Sequence, residues 1–193
     1  MVVDVGPSMD DVIVIGGGPA GLSTALFTAK NGLETVLFDE DETWMHSAHL
    51  FNYLGIDSED GSAFMEDARA QVDSFGVTRH QETPVTDVAE IDGGFRVETE
   101  EAAYQARYVV FATGTDRELP AALGCERSAD ESVAVDIDMR TSIEGAYAVG
   151  GTARDGKWQA IISAGDGAAA ALDILSEEAG EPVHDFDTPA DAE

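Results

Sequence analysis

The sequence predicts an α/β fold: a single domain on a parallel sheet, with a small antiparallel meander at about residues 85–107. Three observations predict it. Residues 12–15 and the 108–112 end of a run from 104 are the near-continuous apolar stretches expected of strands buried on both faces. Residues 12–15 and a second run at 34–39 flank a stretch of helical period, as a βαβ unit requires. Short strand-like runs around Asp92-Gly93-Gly94 then carry a hairpin signal.

The chain has 193 residues, enough for one domain, and 44% apolar residues, enough for a core. Its net charge is −29, from 39 acids against 10 lysines and arginines. A surface of that sign excludes nucleic acid and anionic membranes as partners, because both need basic residues. The acids are scattered along the chain, which fits a surface adapted to a very salty medium. At molar ionic strength the Debye length is about 3 Å, so self-repulsion is screened. Cys125 is the one cysteine, which rules out an intramolecular disulfide or a Cys-x-x-Cys pair. No apolar run reaches the ~18 residues of a membrane span. Residues 1–10 read as an N-terminal extension without signal-peptide features. The expected location is a high-salt cytoplasm.

The first strand runs into Gly16-Gly17-Gly18-Pro19-Ala20-Gly21, where Gly16, Gly18 and Gly21 have G-x-G-x-x-G spacing. The first glycine permits a tight turn, the second admits a pyrophosphate, and the third lets helix pack on strand. Unpaired N–H groups at the helix start then face the anion. A strand before, a helix after and an acid beyond supply the context for dinucleotide binding; the plain alternative is an ordinary glycine turn. In the helix, Leu22, Ala25, Leu26 and Ala29 mark the inward face, and Asn31-Gly32 ends it. The second strand ends at Asp39, 18 residues past Gly21, where an acid accepts ribose hydroxyls. Glu40 is its substitute, and a plain surface acid the alternative reading.

Residues 44–55 form an aromatic loop without a clear period. Its His46 and His49 are two imidazoles lacking a third ligand, so no metal is expected. Ser62 is placed to cap a helix carrying Phe64, Ala68, Val72 and Phe75 inward and ending at Gly76. Strands follow at 77–81, 85–91, 95–100 and 104–112. If the last is parallel to the first, Ala112-Thr113-Gly114 lies near the first glycine loop. Residues 115–130 read as a connection with Pro120 and Gly124 as breakers, and 132–136 as a short strand. A turn, a strand and Gly150-Gly151 precede a final helix with Ile161, Ala164, Ala168, Leu172 and Leu175 on one face. The acidic residues 179–193 read as a disordered tail.

Three signatures stand in order: Gly16–Gly21 with Asp39, Ala112-Thr113-Gly114, and Ala146-Tyr-Ala-Val-Gly-Gly151 before a helix. Together they resemble the FAD-binding domain of the low-molecular-weight thioredoxin reductases, two-dinucleotide-binding flavoproteins. Asn52-Tyr-Leu-Gly55 resembles that family's Asn-aromatic-Pro-Gly segment, and Lys157-Trp-Gln-Ala160 its Arg-Gln-Ala flavin helix. The resemblance implies one Rossmann-like FAD/NAD(P)-binding domain over 11–178. It implies that Gly16, Gly18, Pro19, Ala20 and Gly21 hold a pyrophosphate, Asp39 the adenosine ribose and the Val85 backbone the adenine. Gly150 and Gly151 would meet the ribityl chain, and Gln159 and Ala160 the flavin edge. Asn52, Ala112, Thr113 and Gly114 complete the set.

Departures qualify the resemblance. The family's nicotinamide domain, with its Cys-x-x-Cys, is missing between halves 11–118 and 131–178, and Cys125 alone cannot exchange a disulfide. Gly151 stands where the family has a ribityl-binding aspartate. Losing that charged hydrogen bond costs about 1.5–3 kcal/mol, so FAD is expected to bind weakly. Trp158 replaces the family's arginine. The expectation is an FAD-dependent oxidoreductase fed by an external donor (a ferredoxin, NADH or another protein), with no identified catalytic side chain and no dithiol route. The alternative is a non-catalytic FAD or nucleotide binder acting as sensor, carrier or partner subunit; an NAD-only module is the lesser one. Relatives suggest a homodimer. The charge generates the first prediction: the melting temperature should rise from dilute buffer to multimolar KCl, and a flat or falling trend would refute the salt-adapted surface.

Overall fold

A computed structural model describes residues 9–188. β1 (Asp10–Ile15) leads into α1 (Pro19–Lys30) and β2 (Thr35–Asp39). A 3₁₀ turn at Trp44–Ser47 and the two-residue strands β3 (His49–Leu50) and β4 (Glu59–Asp60) precede α2 (Gly61–Ser74). Then come β5 (Thr78–Gln81), β6 (Val85–Ile91), β7 (Gly94–Thr99) and β8 (Ala103–Phe111). α3 (Glu118–Leu123), β9 (Ala146–Ala148), a 3₁₀ turn at Gly150–Thr152 and α4 (Ala160–Ala179) finish the fold.

Strands β5, β2, β1 and β8 lie side by side and parallel, and β9 adds to β8, also parallel. β6 and β7 form the antiparallel meander, which joins the same sheet through the first half of β8. Alternation along β1 divides the core. Val12 and Val14 face α1, α2 and α4, while Ile13 and Ile15 face the meander and α3. The register sets where the central strands stop. Ile15 pairs with Phe38 on one side and Phe111 on the other, so β1, β2 and β8 end level.

Leu22, Ala25 and Leu175 of the expected helix faces are buried, but small residues mark the closest contact between α1 and α4. α4 buries Ser163, Asp166, Gly167, Ala170, Ala171, Ile174 and Leu175, whereas Ile161 is 36% exposed. A Cβ on Gly167 would sit 2.1 Å from the Ala20 carbonyl oxygen of α1. Thr24 Oγ1 bridges this seam, bonding Ala20 O at 3.0 Å and Gly167 O at 3.2 Å. On α1, accordingly, Thr24 and Thr28 are buried with Leu22 and Ala25, while Leu26 and Ala29 are only partly covered.

Four further expectations are corrected. Asp60, not Ser62, caps α2: its Oδ1 accepts from Ser62 N at 2.9 Å and Ala63 N at 3.3 Å. Met65 with Val72 supplies the buried face there, and Phe75 is 43% exposed. Pro120 does not break the chain. It lies in the first turn of α3, where no intrahelical N–H is needed, and is buried. Residues 132–136 form no strand. One bridge joins Val133 to Arg127, after which Asp136 turns the chain by accepting from Asp138 N and Arg140 N. Past Gly180, residues 181–188 have no regular structure, and Lys30 pairs with Asp185 and Asp187. Residues 1–8 of the extension and 189–193 of the tail lie outside the described residues.

The seam yields a prediction. Gly167→Ala forces α1 and α4 apart and should lower stability by about 1–3 kcal/mol. Denaturant melts in multimolar KCl check it, and an unchanged midpoint would mean the helices are not in that contact.

Candidate functional site

Because β1, β2 and β8 end level, Gly16, Asp39 and Ala112 meet at one edge of the sheet, beneath a cleft of about 830 Å³. Gly16 has φ +109°, and a Cβ there would sit 2.3 Å from the Ala112 carbonyl oxygen. One on Gly21 would sit 1.8 Å from the Gly16 carbonyl oxygen. Gly18 differs: its outer side meets only Thr43 Oγ1, at 3.6 Å. The outer glycines are thus demanded by the protein's own backbone, and the middle one leaves room for something else. Gly18 offers no side-chain cap to α1, and Pro19 has no N–H, so the Ala20 and Gly21 amides begin the helix without intrahelical acceptors. A helix start of this kind can receive an anion.

Asp39 ends β2 in the cleft wall and is 5% exposed. Its Oδ1 accepts from Gly17 N at 3.2 Å and Asp41 N at 3.0 Å. Its Oδ2 accepts from Arg69 Nη2 at 3.1 Å and Gln81 Nε2 at 2.9 Å. A carboxylate has about four lone-pair sites, and four donors use them. Asp39 therefore fastens the glycine loop to β2, α2 and β5. It also gives Gly17 a role unseen in the spacing, since a Cβ there would lie 2.3 Å from Asp39 Cγ. Glu40, exposed on the cleft wall, keeps a freer carboxylate. Its pKa is raised by burial first, then by Glu42, Asp116 and Asp39. Asp87 and Glu118 also line the cleft, so its rim is acidic.

Val85 opens β6 on the same side, beside a β-bulge between Val85 and Asp87, and Thr83 N bonds Asp39 O at 3.0 Å. Across the cleft, Ala112, Thr113 and Gly114 leave β8 next to the Gly150–Thr152 turn. A Cβ on Gly151 would come within 3.1 Å of the Gly114 backbone. Arg117 holds this turn by donating to the carbonyls of Gly151 at 2.9 Å, Thr152 at 3.2 Å and Arg154 at 3.3 Å. Arg154 in turn makes a two-pronged pair with buried Asp166, at 2.6 and 2.7 Å. Gln159 precedes α4 without capping it, and its Oε1 accepts from Asn52 Nδ2 at 2.9 Å. Ala160, the first residue of α4, also lines the cleft. The expected residues Gly16, Gly18, Pro19, Ala20, Asp39, Asn52, Val85, Ala112, Thr113, Gly114, Gly151, Gln159 and Ala160 all line it. Gly21 and Gly150 stand behind it as packing residues, Gly150 at φ +62°.

Thr43, Trp44, Met45, Leu50 and Ser163 line the cleft unforeseen. Trp44, Met45 and Leu50 belong to the aromatic loop without a period, Thr43 directly precedes it, and Ser163 lies in α4. His46 bonds Asp41 and Ser62 away from the cleft, whereas His49 lines it and bonds Ser58. Among the described residues, no three His, Cys, Asp or Glu side chains group as a metal site. Cys125 is buried, which pushes its thiol up, away from the reactive thiolate.

The sequence profile of the pyridine nucleotide-disulphide oxidoreductases matches residues 10–122 and 54–168. The chain belongs to that family. It is 30% identical over 129 residues to the thioredoxin reductase of Listeria monocytogenes, a match covering 64% of this chain and 39% of that protein. Such stretches span about a fifth to two-fifths of the curated relatives it matches. A thioredoxin reductase from Gloeobacter violaceus superposes with TM-score 0.83 at 20% identity, over 93% of this chain and 99% of that chain. A ferredoxin-flavin thioredoxin reductase from Clostridium acetobutylicum superposes with TM-score 0.80 at 17% identity, over 90% and 99%. The fold is that of thioredoxin reductases. No helix among the described residues is long and apolar enough to cross a membrane.

The Asp39 knot predicts a pH response. Arg69 and then His46, by hydrogen bonds, hold the Asp41 carboxyl below the usual carboxylate range. A depressed folded-state pKa adds stability above the unfolded value of about 3.9, and this is lost as pH falls through the folded value. Melting temperature in multimolar KCl should therefore drop below about pH 4, and Asp41→Asn should flatten the drop. An identical acid profile in the variant would show that Asp41 does not contribute.

Proposed function

We propose that this chain binds FAD across the cleft and acts as a small oxidoreductase supplied by an external electron donor. One observation carries the reading: a single cleft runs from the glycine loop at the start of α1 to Gln159 and Ala160 at the start of α4. Two helix starts at opposite ends suit a ligand with a pyrophosphate and a second electron-poor or charge-accepting end. A nicotinamide module would need only the first.

The residues present fit the adenosine half well. Gly16–Gly21 and the α1 amides would take the pyrophosphate, the Val85 backbone would meet the adenine, and Glu40 would be the freer acceptor for ribose while Asp39 stiffens the loop. The ribityl half is held less firmly. With Gly151 against the Gly114 backbone, a side chain there would require movement, so the hydrogen bond an aspartate would make is lost. Bound FAD would supply the electron-transfer chemistry. The α4 amides would stabilise negative charge beside them, and the Asn52–Gln159 bond would hold the loop over 44–55 against that helix start. The 830 Å³ volume lies within the range of cofactor sites.

The buried, lone Cys125 supports a route without dithiol exchange. The short α3 connection after β8 is consistent with electrons arriving from outside the chain, and the ferredoxin-flavin neighbour makes a ferredoxin a reasonable donor beside NADH. A homodimer and a high-salt cytoplasm complete the proposal. Gly151 favours one second reading, a non-catalytic FAD binder. The test is purification in about 3 M KCl. Yellow protein that releases FAD on denaturation is the expected result, and colourless protein that ignores added FAD would overturn the reading. Anaerobic bleaching by NADH or reduced ferredoxin separates enzyme from carrier, since a carrier stays yellow with every donor.

A further inference from the structure

The chain's two tryptophans, Trp44 and Trp158, are far apart in sequence but meet edge to face, with centroids 5.6 Å apart and planes at 71°. Both line the cleft. Trp44 is exposed and Trp158 half-buried, and the segments that carry them are fixed by polar contacts. Trp44 begins the 3₁₀ turn that Thr43 caps, Oγ1 accepting from Met45 N at 3.3 Å, and the same Thr43 oxygen faces Gly18. Trp158 directly precedes Gln159, which Asn52 ties down. The pair thus spans the mouth between the segment after β2 and the start of α4. Trp44 nevertheless leaves 65% of its surface in water. An indole held in a cleft wall with most of its face open is an apolar surface suited to a flat ring.

Every adenine dinucleotide shares the pyrophosphate and adenosine contacts, so discrimination between them must come from the other end. We propose that Trp44 and Trp158 form an aromatic clamp for the second ring of the dinucleotide, and that this clamp selects a wide ring such as isoalloxazine over a small one or none. The inference rests on the FAD reading and adds the residues that set the preference.

The experiment uses the full chain in about 3 M KCl, titrated with FAD, NAD and ADP-ribose by calorimetry and by tryptophan fluorescence. All tryptophan emission comes from these two residues, so FAD should quench it and ADP-ribose should not. Trp44→Ala and Trp158→Ala should each weaken FAD roughly three- to tenfold, the size of one aromatic contact. ADP-ribose affinity should stay within about twofold, which also reports an intact fold, and Trp158→Phe should recover most of the loss. Wild-type protein that prefers FAD, with variants that keep that preference, overturns the clamp alone. Variants that weaken FAD and ADP-ribose equally overturn it too. Wild-type protein that binds ADP-ribose but FAD no more tightly overturns the FAD reading and the clamp together.

Discussion

Ile15 lies between Phe38 and Phe111 in the parallel ladder, and this shared end point organises the molecule above it. The three chains must leave the sheet at one level, so each exit crowds the others. Gly16 turns against the Ala112 carbonyl, Gly21 packs on the Gly16 carbonyl, and the Asp39 side chain lies over Gly17. The glycines are the consequence of crowding between backbones. The unpaired amides that could receive an anion are a by-product of the same geometry, because a helix that begins on Gly18-Pro19 has no side chain to cap it.

The charge of the chain gives those amides unusual weight. A protein of net charge −29 with Glu40, Glu42, Asp87, Asp116 and Glu118 around the cleft repels an anionic ligand in dilute solution. With a Debye length of about 3 Å in molar salt, the rim is screened while amides in direct contact are not. Short-range hydrogen bonds then decide what binds. Several of the few basic residues are committed to acids of the same chain: Arg69, Arg107, Arg140 and Arg154 each pair with acidic partners.

What could be read from the sequence was what depends on neighbours along the chain. The Gly16–Gly21 spacing, the run that became β8, the meander turn at Gly93 and the strand before Gly150 all rest on local chemistry. What escaped depends on packing between distant segments. On α4 the expected Leu175 is buried. Gly167 and Ala170 carry little hydrophobic signal, yet close approach to α1 makes them the contact. Asp39 was legible as an acid in the right place, but its four donors come from the glycine loop, its own turn, α2 and β5. Trp44 and Trp158 show the same limit, since no periodicity links them.

The two ends of the cleft are built to different stiffness. At the glycine loop, backbone contacts and the buried Asp39 knot restrict movement from four directions. At the start of α4, the mouth is closed by one exposed Asn52–Gln159 bond and an edge-to-face pair whose outer member is mostly in water. Local opening costs least where buried contacts are few and hydrogen bonds are exposed. The α4 end is therefore the side that can part without disturbing the sheet, and the glycine loop is the side that stays set. A dinucleotide bound as proposed would find its phosphate site already formed and would order only the far mouth around its second ring. On the proposed FAD reading, ordering that mouth would lower affinity but let the ring contacts, rather than the shared adenosine contacts, decide which dinucleotide is retained.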